Sequence, residues 1–173
     1  MKRNSEDIST IFKEIYPNLC RFLESIVGRG SSGYQAQDIA QESFLRLYQA
    51  DFGQVSTEGI RFWLFRVARN LALNEVNKSK TRTRLWSRAI EFFSPSESNP
   101  EDLLVKSEKQ RIVQELLNHL SEHQRSALLL REQEEMSYRE IALILSVSES
   151  KVKIDIFRAR QRLRALWFER EDK

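Results

Sequence analysis

Two windows of the sequence concentrate cationic side chains in a pattern suited to a polyanion. From Arg61 to Arg88 there are eight Lys/Arg and one acid, Glu75; from Lys151 to Arg164 there are six and one, Asp155. Residues 91–110, between them, carry two bases and five acids. Two separate basic stripes with interleaved aromatics imply two contacts with a polyanion, whereas a single stripe would read as a solvated helix face. In the first window Arg66, Arg69, Asn70 and Asn74 recur at spacings of three and four, so they share or border one helix face. The chemistry suits bases: Asn offers a donor and an acceptor to a base edge, and Arg grips phosphate or stacks. In the second window Val152, Ile156, Ala159 and Leu163 recur at four, three and four and define a core face. The other face carries Lys151, Lys153, Ile154, Phe157, Arg158, Arg160 and Arg162. A helix of that kind fits the DNA major groove.

The whole-chain balance says little by itself: 28 basic and 25 acidic residues among 173 leave a net charge of +3. Other chemistries lack their residues. No glycine-rich phosphate loop or nucleophile elbow is present. Glu115, His119 and His123 lie four apart, a metal-binding spacing on a helix. However, Ser121 and Gln124 form a capping box that ends the helix before His123, so the two histidines read as solvated. Cys20 is the one cysteine, which excludes an intrachain disulfide and a cysteine-based zinc cluster. No metal, cofactor or enzymatic activity is expected.

The elements that must position these residues are helices. With only five Gly and three Pro, the turn punctuation of an all-β fold is missing. Apolar residues at helical spacing place Ile8, Ile11, Phe12, Ile15, Leu19, Phe22, Leu23 and Ile26 on one face of a first helix, which Pro17 should bend or locally break. Residues 28–33 form a glycine-rich break. A second helix, Ala36–Gln49, carries Ile39, Ser43, Phe44, Leu47 and Tyr48 near one face; after a loop, a third runs from Ile60 to about Asn77. Trp63, Leu64 and Phe65 on that third helix read as core rather than as base-stacking groups. The segment Ser94–Pro100, with two of the prolines, reads as a linker. Helix resumes from Glu101 to about Leu120. The Ser121 box starts another to about Glu134, a second box at Ser137 and Glu140 starts a short helix to about Leu145, and Ser148 caps a last one to about Phe168. The short and last helices, joined by Ser146-Val147-Ser148 with small Ala142 at their crossing, form a helix-turn-helix. The expected architecture is all-α: two small helical domains, residues 1–90 and 105–173, on a flexible linker over residues 91–104.

These motifs resemble a family. The stretches Leu120–Arg131, Met136–Ala142, Val152-Lys153 and Phe157–Arg164 are similar to region four of bacterial sigma-70-family factors, in the short extracytoplasmic-function (ECF) form. Asp38–Tyr48 and Phe62–Ala72 resemble the region-two helices that grip the polymerase clamp and meet the minus-ten promoter element. The resemblance covers nearly the whole chain in the right order. It implies a factor that binds core RNA polymerase, at the β′ clamp helices and the β flap, and directs promoter-specific initiation by helping to open DNA. A protein reading two sites about two helical turns apart needs two domains on a tether rather than one rigid globule.

Carried over residue by residue, the resemblance assigns Asp38, Gln41, Glu42 and Leu45 to the polymerase surface, although locally the acids read equally as an ordinary acidic helix face. It assigns Arg66, Arg69, Asn70, Asn74 and Lys78 to the minus-ten element, with Gln54–Gly59 where the family holds a flipped base. It assigns Arg139, Lys151, Lys153, Ile154, Phe157, Arg158 and Arg160 to the minus-thirty-five element. Part of the apolar surface of Leu116, Leu117, Leu128, Leu129 and Leu130 is assigned to the flap. This chain departs from the pattern in several places. The flipped-base loop lacks the frequent Phe-Arg-Gly, Asn74 replaces a commoner Asp, and Ser146 replaces the usual turn Gly. Ile154 replaces a common Ser and could meet a thymine methyl. Asp155 replaces a common Arg and would repel phosphate unless paired with Lys151 or Arg158. The resemblance also implies an anti-sigma partner. The polar stretch Met1–Ile11 and the absence of an apolar run of roughly 20 residues point to a cytoplasmic protein with no direct membrane insertion. The alternative is a stand-alone helix-turn-helix regulator, which would bind a palindromic duplex without polymerase.

Overall fold

The computed structural model describes residues 5–27, 33–50, 56–89 and 108–171, and among them all regular structure is α-helix. Seven helices follow in order among these residues: α1 (Ser5–Val27), α2 (Gly33–Gln49), α3 (Thr57–Ala89), α4 (Glu108–Asn118), α5 (Glu122–Glu132), α6 (Tyr138–Leu145) and α7 (Glu149–Glu171). The first three pack on one another, as do α5, α6 and α7, with α4 against α7. The two groups also meet, α1 against α5 and α3 against α6, and their buried apolar residues join in one cluster.

The α1 stripe is buried as its spacing requires: Ile11, Ile15, Leu19, Phe22, Leu23 and Ile26 all lie in the core. The helix runs unbroken through Pro17, so of the bend or local break expected there the break does not occur. The magnitudes explain this. An interior proline costs about 3 kcal/mol, whereas each fully buried large apolar side chain contributes about 1.5–3 kcal/mol, and the stripe continues on both sides of the proline. Phe12 sits at the stripe's edge, stacked on Tyr16 with ring centroids 4.4 Å apart and edge-on to Phe44 at 4.9 Å.

In α2 the inner face is Ile39, Ala40, Ser43, Phe44 and Leu47. The Ser43 hydroxyl is satisfied by donating to the Ile39 carbonyl at 2.7 Å. Tyr48, expected on this face, is exposed instead. The 100° step per residue carries it past the apolar arc, beside Leu45. Helix α3 begins earlier and ends later than its apolar residues suggest. Ser56 caps its start, accepting the Gly59 N–H at 3.2 Å, and no proline follows before Pro95. Leu64 and Phe65 are fully buried and Trp63 packs against the core, as expected.

Both capping boxes form, each with the serine hydroxyl accepting the N3 amide and the N3 side chain accepting the cap amide. They fix where α5 and α6 start, and hence the angle at which α7 is presented. The expected linker over residues 91–104, the start of the expected helix at Glu101 and the break at residues 28–32 lie outside the described residues.

Candidate nucleic-acid interface

Helix α7 divides as its sequence requires. Val152, Ile156 and Ala159 are buried against α5 and α6, and Leu163 is half-buried. Lys151, Lys153, Ile154, Phe157, Arg158, Arg160 and Arg162 are exposed, Phe157 at 62% and Ile154 at 46%. Large apolar side chains left in water on a basic face mark a surface made to be covered. Arg139, on the first turn of α6, is exposed as well. The turn between the helices closes through Ser146, whose left-handed backbone (φ 56°, ψ 44°) lets its own N–H and that of Val147 both reach the Ala142 carbonyl.

Three cations of this region are already engaged. Lys151 donates to Asp155 at 2.5 Å, and that carboxylate is only 2% exposed. So Asp155 does not face phosphate: it is a buried acid pinned by the lysine one turn earlier, which resolves the two expected pairings in favour of Lys151. Its second oxygen, Oδ2, has no hydrogen-bond partner among the described residues. Arg160 pairs with Glu132 of α5, which holds its guanidinium above its ordinary pKa. Lys153 lies over the Tyr138 ring, 5.5 Å from its centroid, and Arg131 lies 5.0 Å from the same centroid. Tyr138 thus orients Lys153 from α6, a role its sequence position did not suggest. Arg158 and Ile154 complete the outward set.

On α3, Arg66, Asn70, Asn74 and Lys78 are exposed, with Lys78 3.7 Å from Glu75. Arg69 is different. It is 5% exposed and makes a two-pronged pair with Glu122 of α5, Nε at 2.9 Å and Nη2 at 2.6 Å. Ser126, also buried, donates to the same carboxylate at 2.5 Å. About two helical turns earlier, Arg61 donates to both the Glu134 carboxylate at 2.7 Å and the Glu134 carbonyl at 2.8 Å. Arg125 crosses the same junction to the Ser25 carbonyl at 3.0 Å, and burial lowers its pKa. Sequence reasoning missed Glu122, Ser126, Glu134 and Arg61. The arginines and their acids lie 53 to 73 residues apart, so no local spacing could show those pairs, although Ser126 follows Glu122 by four. Of the flipped-base loop, Ser56 precedes α3 and Thr57–Gly59 form its first turn; Gln54 and Val55 lie outside the described residues.

The outer face of α2 shows Asp38, Gln41, Glu42 and Leu45 at helical neighbours' spacing, all exposed, with Tyr48 extending the row. Glu42 pairs with Arg46 at 2.8 Å. His119 and His123 fall in different elements, separated by the Ser121 cap. Among the described residues no cluster of His, Cys, Asp or Glu could hold a metal ion, and no helix is long and apolar enough to cross a membrane.

A helix-turn-helix that presents a basic, partly apolar face to solvent is the mark of a DNA-binding protein. The Sigma-70 region 2 family matches residues 11–83 and the Sigma-70, region 4 family matches residues 110–163. The ECF RNA polymerase sigma factor SigM of Bacillus subtilis (strain 168) is 30% identical over 161 residues, which span 92% of this chain and 94% of that protein. The ECF RNA polymerase sigma-E factor of Escherichia coli (strain K12) is 34% identical over 145 residues, 79% of this chain and 76% of that one. The sigma factor RpoE, solved in complex with the anti-sigma factor NepR from Bartonella quintana, shares the fold with a TM-score of 0.66 at 24% identity, covering 94% of this chain and 97% of that one. CnrH, solved with the cytosolic domain of CnrY, does so with a TM-score of 0.68 at 21% identity, covering 96% and 90%. The chain belongs to the ECF group of the sigma-70 family, factors that direct promoter-specific transcription initiation with RNA polymerase.

Proposed function

We propose that α2 docks on core polymerase through Asp38, Gln41, Glu42 and Leu45, that α3 meets the minus-ten element, and that α7 reads the minus-thirty-five element. The residues proposed for the minus-ten element are Arg66, Arg69, Asn70, Asn74 and Lys78. Those proposed for the minus-thirty-five element are Lys153, Ile154, Phe157 and Arg158 for bases, with Arg139, Lys151 and Arg160 toward phosphate. Residues 1–90 and 105–173 act as the two promoter-reading domains and residues 91–104 as their tether. The observation that supports this best is the α7 face, where Lys153, Ile154, Phe157 and Arg158 stand exposed opposite buried Val152, Ile156 and Ala159. An aliphatic and an aromatic side chain between two cations suit thymine methyls beside guanine or phosphate oxygens. The protein works in the cytoplasm. An anti-sigma factor is proposed as its regulator, on the likeness to RpoE, which was solved with the anti-sigma factor NepR.

In vitro transcription with sigma-free core polymerase and a genomic promoter library tests the reading. Specific initiation is expected at a subset of promoters; none at any promoter overturns it. Within that assay Arg158→Ala should lose selectivity at one minus-thirty-five position by about 1–3 kcal/mol, and unchanged promoter choice would remove Arg158 from the base-reading set.

A further inference from the structure

Two arginines of α3, Arg61 and Arg69, are engaged by acids, whereas Arg66 between them is exposed. Arg69 is held by Glu122 and Arg61 by Glu134, both acids belonging to the other helical group. The geometry is that of phosphate recognition. Arg69 presents Nε and Nη2 in a fork to two carboxylate oxygens, the arrangement arginine uses on a phosphodiester. Arg125 adds a third bond across the junction.

This closed arrangement cannot read a promoter. Helix α6 touches α3, and α7 follows after a three-residue turn. An eight-residue α6 is about 12 Å long, and the turn spans at most about 11 Å. With a helix-to-helix distance of about 10 Å, the first turn of α7 stays within roughly 35 Å of the point where α6 meets α3. Two promoter elements about two helical turns apart are about 70 Å distant. Opening is physically accessible. Charged pairs cross the junction beside its apolar contacts, and separation returns those charges to water instead of stranding one in a core. Such pairs contribute little net stability, and interfaces of this kind between domains ordinarily move.

We propose that the free factor is held closed by an internal clasp in which Glu122 and Glu134 occupy Arg69 and Arg61 in place of promoter phosphates, so that closure and promoter binding compete for the same arginines. The inference rests on the assignment of α3 to the minus-ten element. It goes beyond that assignment in making the chain its own competitor, with no partner protein required.

The test compares the full-length wild-type chain with Glu122→Gln/Glu134→Gln, neither residue being assigned to DNA or polymerase. Small-angle scattering reads closure directly. The wild type should be compact, and the variant should gain several Å in radius of gyration at unchanged helicity. In the core-dependent transcription assay the variant should reach half-maximal initiation at a several-fold lower factor concentration. An extended wild type, a variant as compact as the wild type, or an opened variant with no gain in initiation each overturns the clasp. If the double variant loses helicity, Glu122→Gln alone, at the partly exposed first turn of α5, is measured against the same outcomes. A compact wild type that never initiates would instead overturn the functional assignment and leave the scattering comparison to judge the clasp.

Discussion

Ser146 occupies a backbone conformation that suits glycine. Its φ of 56° and ψ of 44° lie in the left-handed region, where a Cβ crowds the following carbonyl at a cost of about 1–2 kcal/mol. The turn requires this geometry, because only there do two amides converge on the Ala142 carbonyl. Ser146→Gly relieves that crowding but adds about 0.5–1 kcal/mol of chain entropy to be lost on folding. The variant should therefore gain up to about 1 kcal/mol, read as a higher urea midpoint at unchanged slope; a lower midpoint would mean the strain is already relaxed. At the neighbouring cap, Glu140 accepts the Ser137 amide and hydroxyl, both at 2.7 Å, and these bonds hold its carboxyl below the ordinary value of 4.5. A folded pKa below the unfolded one stabilises the protein at pH above the unfolded value. That contribution should fade as pH falls from about 4.5 through the lowered folded value. Ser137→Ala should cost about 1 kcal/mol at neutral pH and flatten this acid limb, since the Ser137 hydroxyl is the largest cause of the shift. Parallel pH profiles for the two proteins would show that Glu140 does not carry it.

At the scale of the element, α7 shows why the helix-turn-helix was legible and where legibility ended. Capping boxes act over three residues and the core stripe repeats within one helix, so both were readable from spacing alone. The long-range competitors of local rules were not. Pro17 keeps its helix because a buried stripe outweighs it, and Tyr48 leaves the core by a matter of angle that a list of apolar residues does not resolve. Asp155 lies between these cases: its need for a cation was evident, the choice of Lys151 was not. The pair is lopsided, a buried carboxylate held by a half-exposed ammonium. Removing the lysine leaves a buried acid without its cation, whereas removing both leaves an apolar site. Lys151→Ala should therefore destabilise the protein by about 1–3 kcal/mol, and Lys151→Ala/Asp155→Leu should recover much of that loss. Chemical denaturation of the two variants decides it. If Lys151→Ala is as stable as wild type, Lys151 is free to serve phosphate alone.

For the molecule as a whole, the net charge of +3 conceals an arrangement of neutralised cations. Arg61, Arg69, Lys151 and Arg160 each face an acid, while Arg66, Lys153, Arg158 and Arg162 are exposed. The basic stripes were visible in the sequence, but which of their members are spent internally was not, because the acids that hold Arg61 and Arg69 arrive from another helical group. The arrangement has a thermodynamic signature. Each phosphate neutralised on duplex DNA steepens the fall of log K with log salt by about 0.9. A closed free factor can commit only its exposed cations to DNA. Opening it through Glu122→Gln/Glu134→Gln adds Arg61 and Arg69, so the slope for non-specific duplex binding without polymerase should steepen by nearly 2. Titrating a labelled random duplex between 50 and 300 mM salt, that is from roughly 50 mM upward, measures both slopes. Equal slopes would mean that the two arginines are already available to DNA in the wild type, and that the near-balance of charge restrains nothing.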